Sequence, residues 1–314
     1  EILIGLVGSE MCIRDRRKVL LFVCLLMAGM TVNVNAAKQK AKHVILIGMD
    51  GWGAYSVPKA DIPAIKSLMT NGCYTLHSRS VLPSSSAINW ASMFMGVGTE
   101  LHGYTTWGSK TPEIPSREVN ERGIAPTIFS VLREQRPKAE IGCLYEWPGI
   151  KYLVDTLAMS YQYQTPGYAK APTALCEAAE KYIIEKKPEL LAICFEEPDH
   201  TGHTKGHDTP AYYQMLKELD GYVERILQAI KKAGIWDDTI IIITADHGGI
   251  KTGHGGKTLR EMEIPFIISG KNVRKGMEIK ESMMQYDTAA MIAYILGLKQ
   301  PQSWIGRPVK TVFK

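Results

Sequence analysis

Thr239-Ile240-Ile241-Ile242-Ile243-Thr244-Ala245-Asp246-His247-Gly248 is the stretch that decides the fold. Its apolar run is continuous rather than alternating. That pattern fits a strand buried on both faces, as in a largely parallel sheet covered by helices on each side. The run then stops at an aspartate, a histidine and glycines. The same outline recurs elsewhere. His43-Val44-Ile45-Leu46-Ile47-Gly48 leads to Asp50, and Leu190-Leu191-Ala192-Ile193-Cys194-Phe195 leads to Asp199. Residues 139–144 make a fourth such run.

Helical patterns lie between these runs. Pro126 opens one that ends before Pro137, and residues 172–186 form another. Thr209-Pro210 supplies an N-cap and first-position proline for the longest. Its apolar positions Met215, Leu216, Leu219, Val223, Ile226, Leu227 and Ile230 keep the 3.6-residue period, and Gly234 ends it. Strands alternating with helices predict an α/β architecture, with a largely parallel central sheet flanked by helices on both faces.

The chain has 314 residues and a formal charge of +5. Arg16-Arg17-Lys18, the apolar run Val19–Met30 and the small residues around Val34-Asn35-Ala36 predict a secretory signal. The run falls short of the roughly 20 residues of a membrane span, so no stable span is expected after cleavage. Residues 1–16 read as an extension foreign to the fold. The expected mature unit is a single catalytic domain over residues 37–314, exported to the periplasm or beyond. Residues 1–36 carry four basic and three acidic side chains, leaving the mature unit at +4. So small an excess, without a Lys/Arg cluster, argues against a nucleic-acid partner. Oligomeric state has no signature here. The remaining cysteines, Cys73, Cys143, Cys176 and Cys194, form no CxxC motif, and two lie inside strand-like runs. Buried thiols are expected in preference to two disulfides.

Asp50, Asp199 and Asp246 each fall just past the carboxyl end of a predicted strand, the edge at which open α/β sheets place their binding sites. His247 adjoins Asp246. His203 follows Asp199 by four residues around Gly202. His254 lies between glycines. The nearby His200 and His207 read as solvent-facing or supporting residues. A serine from Ser84-Ser85-Ser86 opens a helix predicted over residues 86–96, where the positive N-terminal field favours an alkoxide and an incoming phosphate. Local pattern alone does not choose among the three. Asn89 is expected on the same helix face as Ser86, with an amide to offer a phosphoryl oxygen. Three carboxylates, three imidazoles and a hydroxyl make the mixed O/N donor set that zinc-type ions prefer. Two such ions about 3.5–4 Å apart clamp the attacking and leaving oxygens of an in-line displacement at phosphorus.

These motifs resemble the alkaline phosphatase superfamily, and within it the type I phosphodiesterase/nucleotide pyrophosphatase group. The family's Phe-Pro-Thr-x-Thr-Phe-Pro-Asn stands here as Leu82-Pro83-Ser84-Ser85-Ser86-Ala87-Ile88-Asn89. Gly96 to His102-Gly103, Trp147-Pro148-Gly149, Asp199-x-x-Gly202-His203, Asp246-His247-Gly248 and Gly253-His254-Gly255 complete the resemblance. It implies an alkaline-phosphatase-like fold and selects Ser86 as nucleophile, with Asn89 as a phosphate-binding residue. It implies two divalent ions, Zn²⁺ by donor type. One would be held by Asp50, Ser86, Asp246 and His247, the other by Asp199, His203 and His254. The implied reaction is hydrolysis of a small-molecule phosphodiester or pyrophosphate through a covalent phosphoserine. A phosphomonoesterase and a catalytically inactive binding module are the alternatives. A sulfatase is disfavoured by the lack of a Cys/Ser-x-Pro-x-Arg segment at the nucleophile helix. Ala87 stands where an aromatic often follows the nucleophile. Trp52, Trp90, Trp107 and Tyr145 are each either pocket walls or core.

Overall fold

The apolar runs become neighbouring strands of one sheet in the computed structural model, which describes residues 39–166 and 171–314. The expected signal segment and N-terminal extension lie outside the described residues. The strands are β1 (His43–Met49), β2 (Gly72–Arg79), β3 (Ile141–Tyr145), β4 (Tyr161–Gln164), β5 (Leu190–Phe195), β6 (Thr239–Ala245), β7 (Glu263–Gly270) and β8 (Met277–Glu278). Their order across the sheet is β4-β3-β5-β1-β6-β7-β2-β8. Only β7 runs against its neighbours; the other pairings, from β4 to β6 and between β2 and β8, are parallel.

The helices are α1 (Pro63–Thr70), α2 (Ser86–Met95), α3 (Ile128–Gln135), α4 (Ala171–Lys186), α5 (Asp199–Lys205), α6 (Pro210–Lys232) and α7 (Asp287–Leu296). Thr99–His102 and Leu259–Met262 are single helical turns. Successive strand residues point to opposite faces, and two cores result. Val44, Leu46, Ile240 and Ile242 pack with Trp90 and Phe94 of α2, Phe129 of α3 and Ile292 of α7. Ile45, Ile47, Ile241 and Ile243 pack with Ile65 of α1, Ile183 of α4 and Leu216, Val223 and Ile230 of α6. Each fully buried side chain of this kind is worth about 1.5–3 kcal/mol. This double burial is why the strands read as unbroken apolar runs.

Two helix starts show how the termini are held. Thr209 caps α6 as the sequence predicts, its hydroxyl accepting the Tyr212 N–H at 3.3 Å. Helix α1 has no side-chain cap of its own. Asp220 of α6 serves instead, accepting the N–H groups of Ala64 and Ile65 at 3.0 and 2.8 Å. A carboxylate at a helix N-terminus meets both the unpaired donors and the positive end of the dipole. The four cysteines are free and buried, as their apolar surroundings suggest. Among the described residues, no helix is long and apolar enough to cross a membrane.

Gly48 of β1 packs directly against Trp90 of helix α2. A Cβ there would lie 2.3 Å from the indole ring of Trp90. Gly48→Ala is therefore expected to destabilise the fold by about 1–3 kcal/mol through overpacking. Urea unfolding of the variant beside the parent checks this; an unchanged midpoint would show that the ring has room to move.

Candidate active site

Register brings the acidic residues together. Met49 at the end of β1 lies level with Phe195 of β5 and Ala245 of β6. Asp50 and Asp246 follow directly, and Asp199 begins α5 a few residues after β5. Gly51 then turns the chain at a φ of 67°. Its N–H donates to Asp246 Oδ1 at 3.1 Å. A Cβ at position 51 would lie 2.4 Å from Asp199 Oδ1. Glycine is required there by conformation and by space.

The structure separates the three serines. Ser84 Oγ donates to the Gly256 carbonyl at 2.7 Å. Ser85 is the N-cap of α2. Ser86 is the first residue of that ten-residue helix, and its Oγ lies 3.2 Å from His247 Nε2 and 3.5 Å from Asp50 Oδ1. Ser86 alone of the three touches the acidic cluster.

The histidines share one arrangement. Nδ1 of His247, His203 and His254 faces the carbonyls of Gly248, Thr252 and Ser84 at 2.8, 2.8 and 3.0 Å. A carbonyl only accepts, so each Nδ1 carries a proton and each Nε2 is directed inward, able to act as a ligand atom once deprotonated. His247 Nε2 lies 3.4 Å from Asp50 Oδ1 and 3.3 Å from Asp246 Oδ2. His203 Nε2 lies 3.0 Å from Asp199 Oδ2 and 3.2 Å from His254 Nε2, with His254 3.8 Å from the same oxygen. Asp50, Asp246 and His247 form one group able to hold an ion, and Asp199, His247 and His254 another. His247 thus adjoins both, its ring stacked on that of His254 at 3.8 Å.

The donors fit divalent cations. Asp246 Oδ2 and Asp199 Oδ1 are buried with no hydrogen-bond partner among the described residues. Among the described residues, no lysine or arginine pairs with Asp50, Asp199 or Asp246. Burial, then the charge of the neighbouring aspartates, pushes the Asp50 carboxyl well above its usual range. Burial and Asp199 do the same to Asp246. Burial lowers His247 to about 3, keeping it neutral. The hydrogen bond to Asp199 raises His203 to about 9. Burial works to raise Asp199, but that hydrogen bond and nearby imidazoles bring it to about 2.

Asn89 is placed differently from the sequence expectation. It is fully buried. Its Oδ1 accepts from Val81 N at 2.7 Å, and its Nδ2 donates to the carbonyls of Val81, Pro83 and Ser85 at 3.1–3.2 Å. Its amide is spent on the backbone before Ser86, because that irregular segment has buried polar groups to satisfy. Besides Ser86, Trp90 reaches the cluster from this helix, its Nε1 donating to Asp50 Oδ2 at 3.1 Å. Its spacing of four from Ser86 was the available signal. Tyr212 has no such signature in the sequence; its hydroxyl donates to the Gly51 carbonyl at 2.8 Å. Trp52 and Tyr145 are core residues, whereas Trp107 is 67% exposed.

Protons compensate this charge when divalent ions are withheld, which sets a pH dependence. Asp50 and Asp246 have folded pKa values above the unfolded 3.8, so they cost stability as pH rises past 3.8. His203 contributes stability that is complete below 6.5 and lost as pH rises through about 9. All three act in one direction. Chelator-treated protein should melt at progressively lower temperature between pH 6.5 and about 9. Added Zn²⁺ should raise Tm more at the alkaline end, since binding displaces protons. A metal-induced shift that shrinks with rising pH would contradict this.

The profile of the type I phosphodiesterase / nucleotide pyrophosphatase family matches residues 44–287. Mouse bis(5'-adenosyl)-triphosphatase enpp4 is 25% identical over 226 residues, which is 68% of this chain and 48% of that protein. Mouse ectonucleotide pyrophosphatase/phosphodiesterase family member 3 is 26% identical over 219 residues, 65% of this chain and 24% of its own length. The chain spans about half, or less, of these curated relatives. Among solved structures, inactive murine ectonucleotide pyrophosphatase/phosphodiesterase 5 in complex with AMP has a TM-score of 0.70 at 18% identity, covering 88% of this chain and 100% of that one. A 2-O GAG sulfatase has a TM-score of 0.68 at 15% identity, covering 87% and 74%. At such identities both share the fold alone. The extent of the family match, over the residues that build this sheet and its acidic edge, makes the chain a member of the type I phosphodiesterase/nucleotide pyrophosphatase family.

Proposed function

We propose that the chain is an exported hydrolase of phosphodiester or pyrophosphate bonds that works with two divalent ions, Zn²⁺ by donor type. Asp50, Ser86, Asp246 and His247 would hold one ion, and Asp199, His203 and His254 the other. The observation that carries the proposal is Ser86 Oγ, set at a helix N-terminus within 3.5 Å of Asp50 and His247. The ions would supply positive charge that lowers the hydroxyl pKa and neutralises phosphoryl oxygens.

The protein's own part is positioning. Helix α2 presents Ser86 with its dipole favouring an anion at that point. Trp90 and Tyr212 fix Asp50 and Gly51, so the acidic edge is organised before substrate arrives. Asn89 holds the segment that leads into the nucleophile. Ser86 Oγ forms a bond to phosphorus as the bond to the leaving oxygen breaks, and the departing alcohol or phosphate takes up a proton. Water then cleaves the Ser86–phosphorus bond and restores the hydroxyl. The bis(5'-adenosyl)-triphosphatase and AMP-bound relatives make nucleotide-type phosphoanhydrides reasonable substrates to try. Ala87 offers no ring for a base to stack on.

Zinc-loaded protein should hydrolyse bis-p-nitrophenyl phosphate with higher kcat/KM than p-nitrophenyl phosphate. Ser86→Ala should lose activity by a factor of at least ~10³ with both ions still bound. Preference for the monoester would turn the assignment to a phosphomonoesterase. Bound metal with turnover of neither ester would favour a binding role.

A further inference from the structure

His207 lies outside the seven proposed ligands, yet its side chain is fully buried beside them. Its ring fills a slot between two glycines. A Cβ on Gly202 or on Gly249 would lie 2.3 Å from His207 Cε1. Gly202 belongs to the segment that carries Asp199 and His203. Gly249 belongs to the segment that carries Asp246 and His247. The imidazole therefore sits between the two ligand-bearing loops, and both have given up side chains to admit it. The backbone is fixed as well, with His207 N donating to the Lys251 carbonyl at 2.6 Å.

Within this slot the polar atoms point to one partner. Among the described residues, neither ring nitrogen finds a hydrogen-bond partner, and Asp199 Oδ1 finds none either. His207 Nε2 and Asp199 Oδ1 face each other at 3.6 Å. The other carboxylate oxygen, Oδ2, faces His203 and His254. Leaving a donor and an acceptor buried and unpaired is costly, so a small approach that joins them is favoured.

On the two-metal reading above, we infer that His207 is a positioning residue for the Asp199 centre. Its Nε2–H is given to Asp199 Oδ1, which holds the carboxylate in one rotamer and reserves Oδ2 for the ion shared with His203 and His254. Ligating carboxylates depend on such supporting hydrogen bonds, and losing one typically costs about 10–100-fold in metal affinity.

Co²⁺ titration of the full chain, followed by visible absorption under chelator competition, tests this. His207→Phe fills the slot but donates nothing, and should weaken one of two Co²⁺ ions by about 10–100-fold. His207→Gln keeps an N–H donor and should stay close to the parent. His207→Asn, too short to reach Oδ1, should behave as His207→Phe does and replaces it if the phenylalanine variant fails to fold. Parent affinity in both His207→Phe and His207→Asn would overturn the inference. So would a glutamine variant as impaired as the phenylalanine one. A parent that takes up no Co²⁺ would instead overturn the metal centre itself, and the role of His207 with it.

Discussion

Asp50, Asp199 and Asp246 are carboxylates gathered where water is scarce, and among the described residues no lysine or arginine pairs with them. Burying like charges together is unfavourable by several kcal/mol per group unless cations or protons intervene. The surrounding structure is arranged around that constraint. Three imidazoles are tied by their Nδ1 atoms to backbone carbonyls, so their Nε2 atoms converge on the same space. A protein built only for stability would have little reason to gather imidazoles and buried carboxylates around one space. The arrangement has a physical purpose once positive charge enters from outside.

The sheet makes this concentration possible at tolerable cost. β5, β1 and β6 are adjacent, parallel and in register, so their carboxyl ends open side by side. Apolar side chains pack on both faces of these strands, and the acidic residues come at or just past the strand ends. Gly51 and Gly48 show how tightly the edge is drawn in. One admits the Asp199 carboxylate and the other the Trp90 ring. Stability in the sheet thus supports an electrostatically unfavourable edge.

Much of this was legible in the sequence because each feature had a local signature. Runs such as 239–244 are unbroken only when both faces are buried, so the parallel core and its covering helices could be read directly. The metal-type residues could be read because they follow those runs immediately. β7 could not be read so easily. It contains Pro265, which argues against a strand, and its antiparallel direction leaves no trace in composition. β2 hid for the opposite reason, since Leu76 and His77 are not buried and its apolar signal is diluted. Asn89 shows the limit of helix-face reasoning. Spacing put it on the side of Ser86, but the irregular backbone of residues 81–85 takes up its amide.

His207 shows the same limit from the other side. In the sequence it is one of several histidines near Asp199, and nothing local distinguishes it from exposed His200. What distinguishes it is made only in three dimensions, where Gly202 and Gly249 meet over its ring. Those glycines follow His200-Thr201 and Gly248 in chain order and read as ordinary turn residues. Their φ values are not in the left-handed region, so backbone conformation does not demand them. Space does. A glycine needed for room rather than for conformation is a sign that something must fit beside it, and here the thing fitted is an imidazole facing a metal-type carboxylate.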